Sequence, residues 1–89
     1  MLRDRLTKNA EILKVLGSTI RLGILLELEK DECNVKRIYK NLGLRQSTVS
    51  QQLKILKMSG IVTGIRKGNL VCYRLSNRTA RELLKLIKK

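Results

Sequence analysis

Apolar residues recur at helical spacing along most of the chain, and in one stretch of its last third the period shortens. Leu2, Leu6, Ala10, Leu13 and Leu16 form a stripe that predicts a helix over 2–16, widened near its end by Ile12 and Val15. After Gly17, Ser18 or Thr19 is placed to cap a second helix running to about residue 30. Its Ile20, Leu22, Ile24, Leu25, Leu26 and Leu28 surround most of the circumference, the pattern of a buried central helix. Val35, Ile38, Tyr39 and Leu42 predict a short third helix over about 35–41. Val49, Leu53 and Leu56 fall at i, i+4 and i+7 of a fourth, which starts at Arg45 or Gln46 and ends near Ser59 with Gly60 as its cap. From Ile61 two β-branched, roughly alternating runs, 61–67 and 70–75, flank Gly68-Asn69 and read as a β-hairpin. Ser76 or Asn77 then caps a last helix with Ala80, Leu83, Leu84 and Ile87 as its stripe. The expected fold is mainly α with one small β-hairpin: four helices, two strands, a fifth helix.

The third and fourth helices are separated only by Leu42-Gly43-Leu44. Glycine permits the positive φ of a tight interhelical turn, and the flanking leucines fill the angle between the helices, so residues 35–59 read as a helix-turn-helix. The outer face of the fourth helix carries Gln46, Ser47, Ser50, Gln51, Lys54 and Lys57. These are hydrogen-bonding groups followed by cations, the types that reach base edges and phosphates from a helix in a major groove. Arg45 stands where Ser or Asp would cap that helix, which either weakens its N-terminus or trades a cap for a phosphate contact. The hairpin, with Arg66 and Lys67 near its turn, is then a wing for the DNA backbone or minor groove, or a solvent-exposed hairpin with incidental charge. Arg21, the one cation on an otherwise apolar stretch of the second helix, is open to two readings: a snorkelling side chain or a phosphate contact.

Charge sharpens this picture. The net charge is +13, and the 49 residues from Cys33 to Arg81 contain eleven basic side chains and no acid. A polyanionic partner is expected, the plainer alternative being a basic solvated surface. Single-stranded nucleic acid is recognised largely by stacking on aromatics. With only Tyr39 and Tyr73 in the chain, duplex DNA is favoured. Glu27, Glu29, Asp31 and Glu32 cluster at the end of the second helix, where the helix dipole prefers cations. They read as a solvated edge away from the DNA, with a divalent-ion site as the alternative.

At 89 residues the chain is expected to be a single domain of modest stability, which a homodimer through the terminal helices, 1–16 and 77–89, would reinforce. The 43% hydrophobic and 30% charged composition is that of an ordinary globular protein, and no segment reads as a membrane span or secretory signal, so the cytoplasm is the expected compartment. There is no histidine, no phosphate-cradling glycine loop and no nucleophile with an evident base, so catalysis lacks its usual parts and no cofactor is implied.

Taken together, Ile12 to Leu22, Leu42 to Leu56, Gly60-Ile61-Val62 and Val71-Cys72-Tyr73-Arg74-Leu75 resemble the ArsR/SmtB family of winged helix-turn-helix repressors over about residues 10–76. The resemblance implies a homodimer on an inverted-repeat operator that is released by an inducer, often a metal ion. On the residue reading above, Gln46, Ser47, Thr48, Ser50 and Gln51 are expected to face base edges or nearby phosphates, and Arg45, Lys54, Lys57, Arg66 and Lys67 to hold the backbone. The family's paired metal-binding cysteines fall at Asn34 and Lys36 here, and its histidine-containing site on the terminal helices has no histidine to use. Cys33 and Cys72 are the remaining soft ligands, too few for a closed metal site in one subunit. In a winged helix the segment before the third helix pairs with the last wing strand, which would bring these two thiols together for a disulfide or persulfide switch. The alternative is that both are buried free cysteines acting as small hydrophobes. A basic winged-helix module for a protein or RNA partner is the competing function.

Overall fold

A computed structural model describes residues 1–88. The last residue of the 77–89 helix expected from the sequence, Lys89, lies outside the described residues. The elements follow in the expected order: α1 (Leu2–Leu16), α2 (Thr19–Lys30), α3 (Val35–Leu42), α4 (Gln46–Met58), β1 (Val62–Lys67), β2 (Leu70–Leu75) and α5 (Arg78–Ile87).

Several boundaries have a local cause. Ser18, Asn34 and Asn77 cap α2, α3 and α5, their side-chain oxygens accepting from the backbone N–H of Arg21, Arg37 and Ala80. Gly43 ends α3 in the left-handed region at φ 65°, which lets the chain turn straight into α4. Arg45 occupies the N-cap of α4 and makes no side-chain capping bond. Gly68 takes φ 61° as the first of two hairpin residues, and the register runs from Val62 opposite Leu75 to Lys67 opposite Leu70.

The core is one cluster centred on α2. Ile24, Leu25 and Leu28 of α2 pack with Ile38 of α3, Val49, Leu53 and Leu56 of α4, Ile61 and Val62 at the start of the hairpin, Leu75, and Ala80 and Leu84 of α5. Gly23, a weak helix former in the middle of α2, has a reason to be there: a Cβ would lie 3.3 Å from both Cδ atoms of Leu42. The glycine lets α3 close onto α2.

Backbone hydrogen bonds help hold the hairpin on the helical body. Tyr73 N–H of β2 donates to Glu32 O in the α2–α3 connection at 2.8 Å, and the N–H groups of Ser76 and Asn77 both donate to Ile61 O. The terminal helices are less complete. Leu16 is the sole buried residue of α1, while Leu2, Leu6 and Leu13 of the predicted stripe are 69%, 60% and 57% exposed. In α5, Ala80 and Leu84 are buried as expected, but Ile87 is exposed beside Leu86.

Candidate nucleic-acid interface

The helix-turn-helix presents α4 with an apolar stripe inward and its polar residues mostly outward, Ile55 and Met58 being apolar residues that are also exposed. Val49, Leu53 and Leu56 are buried, and Gln46, Ser47, Ser50, Gln51, Lys54 and Lys57 are exposed, with Thr48 partly covered. The split follows from residue spacing: an inward stripe at i, i+4, i+7 leaves the intervening positions pointing out. Arg45, freed from capping, is exposed at the helix N-terminus, where unsatisfied backbone N–H groups and the dipole favour an anion. Its own charge adds to that preference.

α4 packs against β1, so helix and wing form one unit. The Lys57 ammonium lies over the wing at Gly64, where a Cβ would meet its Nζ at 3.5 Å and its Cε at 3.7 Å. Arg66 and Lys67 are exposed at the tip. Among the described residues none of Arg45, Lys54, Lys57, Arg66 or Lys67 has an acidic partner within 4.0 Å, so their charge is uncompensated. Two other bases of the acid-free stretch are compensated: Arg37 approaches Glu27 at 3.9 Å, and Arg74 Nε donates to Glu32 Oε2 at 3.3 Å.

One acid of the cluster departs from the solvated edge expected of it, while Glu29 and Asp31 are exposed. Glu27 is buried. Its Oε1 accepts from Asn41 Nδ2 at 2.7 Å and its Oε2 from Lys30 Nζ at 3.0 Å. The Asn41 hydrogen bond, then that from Lys30, holds the Glu27 carboxyl below the ordinary carboxylate range against the opposing effect of burial, with the Lys30 and Arg37 charges adding to the lowering. Arg37 Nη2 also donates to Glu27 O at 2.8 Å, and its buried Nε is left without a partner. Glu27 thus braces α2 against α3 behind the turn. Glu29 pairs with Lys88 at 3.5 Å, and Asp31 Oδ1 accepts from Cys33 N–H. Among the described residues no three His, Cys, Asp or Glu side chains are grouped so as to hold a metal ion. The donor set does not fit one, because the two sulfurs are bonded to each other.

Cys33 and Cys72 are joined by a disulfide across 39 residues of sequence, one of the two readings open to them, and are not the buried free thiols of the other. The disulfide links the residue before the α3 cap to the middle of β2, beside the Tyr73–Glu32 backbone hydrogen bond.

Arg21 is engaged inside the protein. Its Nε donates to Val15 O at 2.6 Å and its Nη1 to Gln52 Oε1 at 3.0 Å. Gln52 is the polar residue that sequence reasoning passed over. Its signal was its position, three residues after Val49 and four before Leu56, on the edge of the buried stripe. Asn41 and Arg37 were missed for a different reason: nothing local announces that Glu27 turns inward.

A family model for bacterial regulatory proteins of the arsR family matches residues 18–63. The chain is 40% identical over 75 residues to an HTH-type transcriptional repressor, SmtB, of Mycobacterium tuberculosis, a match covering 84% of this chain and 56% of that protein. The chain therefore spans little more than half the length of this relative. A biofilm growth-associated repressor of Xylella fastidiosa is 34% identical over 83 residues, covering 93% of this chain and 73% of that one. Among solved structures, a homodimeric winged helix-turn-helix DNA-binding domain from Mycobacterium bovis, a possible ArsR-family transcriptional regulator, has a TM-score of 0.80 at 30% identity over 96% of this chain and 79% of that one.

Proposed function

The chain belongs to the ArsR family of bacterial regulatory proteins, and we propose that it is a homodimeric cytoplasmic repressor that binds an inverted-repeat duplex DNA operator through α4 and the wing. The family is one of transcriptional repressors, not enzymes. The observation that carries the proposal is the exposed polar face of α4 continuing into uncompensated cations at its N-terminus, on Lys57 and at the wing tip. Gln46, Ser47, Thr48, Ser50 and Gln51 read base edges or nearby phosphates, and Arg45, Lys54, Lys57, Arg66 and Lys67 hold the backbone. Residues 1–89 act as one domain, with 35–59 as the helix-turn-helix and 61–75 as the wing.

Dimerisation through α1 and α5 is supported by the exposed Leu2, Leu6, Leu13, Leu86 and Ile87, and by the homodimeric state of the M. bovis neighbour. Two-fold symmetry then sets half-sites about one helical turn, ~34 Å, or a multiple apart. A gel shift at physiological salt tests the reading. A duplex selected from a randomised pool is retained far better than random duplex of the same length. Equal retention of both, or preference for RNA, would favour the basic interaction module instead.

The regulator works without the family's usual metal-ligand sets. What supports this is the donor inventory: Asn34 and Lys36 at the paired-cysteine positions, no histidine, and both sulfurs in a disulfide. That disulfide ties the segment just before α3 to the wing, two parts whose relative placement bears on how α4 and the hairpin tip meet DNA, and so supports a thiol-responsive switch. Reduction by a small dithiol, two electrons and two protons yielding two thiols, changes operator affinity in the native chain and leaves a Cys33→Ser/Cys72→Ser variant unaffected. The same affinity for both redox forms of the native chain overturns the switch.

A further inference from the structure

We propose that Arg21 and Gln52 form a clasp that fixes the roll of the recognition helix relative to α1, making Arg21 a positioning residue for sequence discrimination rather than a phosphate contact. The proposal rests on the DNA-binding reading above and concerns what holds α4 in register.

α4 meets the rest of the protein through Val49, Leu53 and Leu56, all buried and all apolar. Apolar burial is strong but non-directional, so it fixes that the helix is docked more firmly than how it is rolled about its own axis. Hydrogen bonds are directional. Among the described residues, Gln52 Oε1 to Arg21 Nη1 at 3.0 Å is the one side-chain hydrogen bond joining α4 to another element, and no ion pair involves α4. Gln52 sits between Val49 and Leu56 on the edge of the buried stripe. Its bond therefore acts on the side of the helix, where it resists rolling.

The other end of the clasp is anchored as well. Arg21 belongs to the first turn of α2, its backbone N–H donating to the Ser18 cap, so its stem is held. Arg21 Nε donates at 2.6 Å to Val15 O, in the last turn of α1, where backbone carbonyls lack helical partners and the dipole favours a cation. One planar guanidinium thus joins the end of α1, the start of α2 and the middle of α4. The fork geometry of arginine suits two bonds in fixed directions from one group, as a lysine ammonium would not. If α1 and α5 form the dimer seam, the end of α1 belongs to the frame shared by both subunits. The clasp then transfers that frame to the roll of each reading head, and with it the aim of Gln46, Ser50 and Gln51 at the bases.

The test uses the full chain and two duplexes of equal length, one selected by the native chain from a randomised pool and one random, titrated across salt at a temperature where circular dichroism shows every variant folded. Arg21→Met should lower the ratio of selected to random affinity by about tenfold, the order expected on losing a hydrogen bond to a charged group, with the salt slope unchanged. Gln52→Leu, a good helix former at a half-covered position, should give the same loss. The double variant should discriminate no worse than Arg21→Met alone, since both single changes remove the same Arg21–Gln52 bond. The proposal is overturned by an Arg21→Met variant that keeps native discrimination, or by single losses that add in the double variant. It is also overturned by equal weakening on both duplexes with a salt slope reduced by about one, the signature of a phosphate contact. A native chain that selects no sequence overturns the DNA-binding reading and the clasp together; a native chain that selects one while the variants discriminate equally well overturns the clasp alone.

Discussion

α4 and α1 are both amphipathic helices of similar length, yet the structure treats their apolar faces in opposite ways. All three stripe residues of α4 are buried within the chain, whereas α1 buries Leu16 and leaves Leu2, Leu6 and Leu13 in solvent. The difference is one of location. α4 lies against α2, which is apolar on most sides and can cover several neighbours at once, while α1 lies at the outside and meets mainly α2 at one end and α5 along its side. An apolar stripe says that a helix wants cover; where the helix sits says whether its own chain supplies it. The stripe of α4 is covered by its own chain, whereas the stripe of α1 and the end of α5 are not; in the homodimer proposed above a second copy covers them.

Replacing one residue on each side of this contrast should separate it most sharply. Leu56→Ala is expected to cost about 2–5 kcal/mol of unfolding free energy, read from denaturant titration, because it opens a cavity in a filled core. A comparable loss from Leu6→Ala in the isolated subunit would break the comparison. Leu6→Glu with Leu13→Glu should instead leave the helical signal of the subunit intact and raise the dimer dissociation constant by at least about tenfold, measured by sedimentation over a concentration series. A dimer of unchanged affinity would mean that α1 is not the seam.

On the outer face of α4 the expected effects are smaller and of two kinds. Gln51→Ala should alter base preference at one operator position by about 1–3 kcal/mol, whereas Lys67→Ala at the wing tip should weaken all sequences alike and lower the salt slope by about one. Unchanged affinity and preference in Gln51→Ala would show that the outward register of the helix is misassigned.

The smallest effect belongs to Glu27, behind the turn. Its carboxyl titrates below its ordinary value in the folded chain, chiefly because Asn41 and Lys30 hydrogen-bond the charged form. The stability it contributes is therefore complete above the unfolded value, about 4.5, and is lost as pH falls through the lower folded one. Glu27→Gln should destabilise the chain by about 1 kcal/mol at neutral pH and flatten the acid limb of the stability curve below about pH 5. An acid limb identical to that of the native chain would remove Glu27 from the account.

Much of this architecture was legible in the residues. The helices, the hairpin and their limits followed from apolar spacing and from Ser18, Gly43, Gly60, Gly68 and Asn77, because capping and turn chemistry act over three or four residues. The outward face of α4 was legible for the same reason, since a buried stripe assigns the remaining positions to solvent. Less could be read where a polar group turned inward. Glu27 looked like one more acid of a solvated cluster, and Gln52 like one more glutamine beside Gln51, because what distinguishes each is a partner on another helix.

The sequence alone determined the order and type of the elements and the acid-free basic span, since both depend on neighbours along the chain. Tertiary structure alone decided between the bonded and the free reading of Cys33 and Cys72, that Arg21 is spent on Val15 and Gln52, that Glu27 is enclosed by Asn41, Lys30 and Arg37, and that the stripe of α1 goes uncovered. Each of these depends on which distant segments the packing of α2 brings together, and no local pattern of residues carries that information.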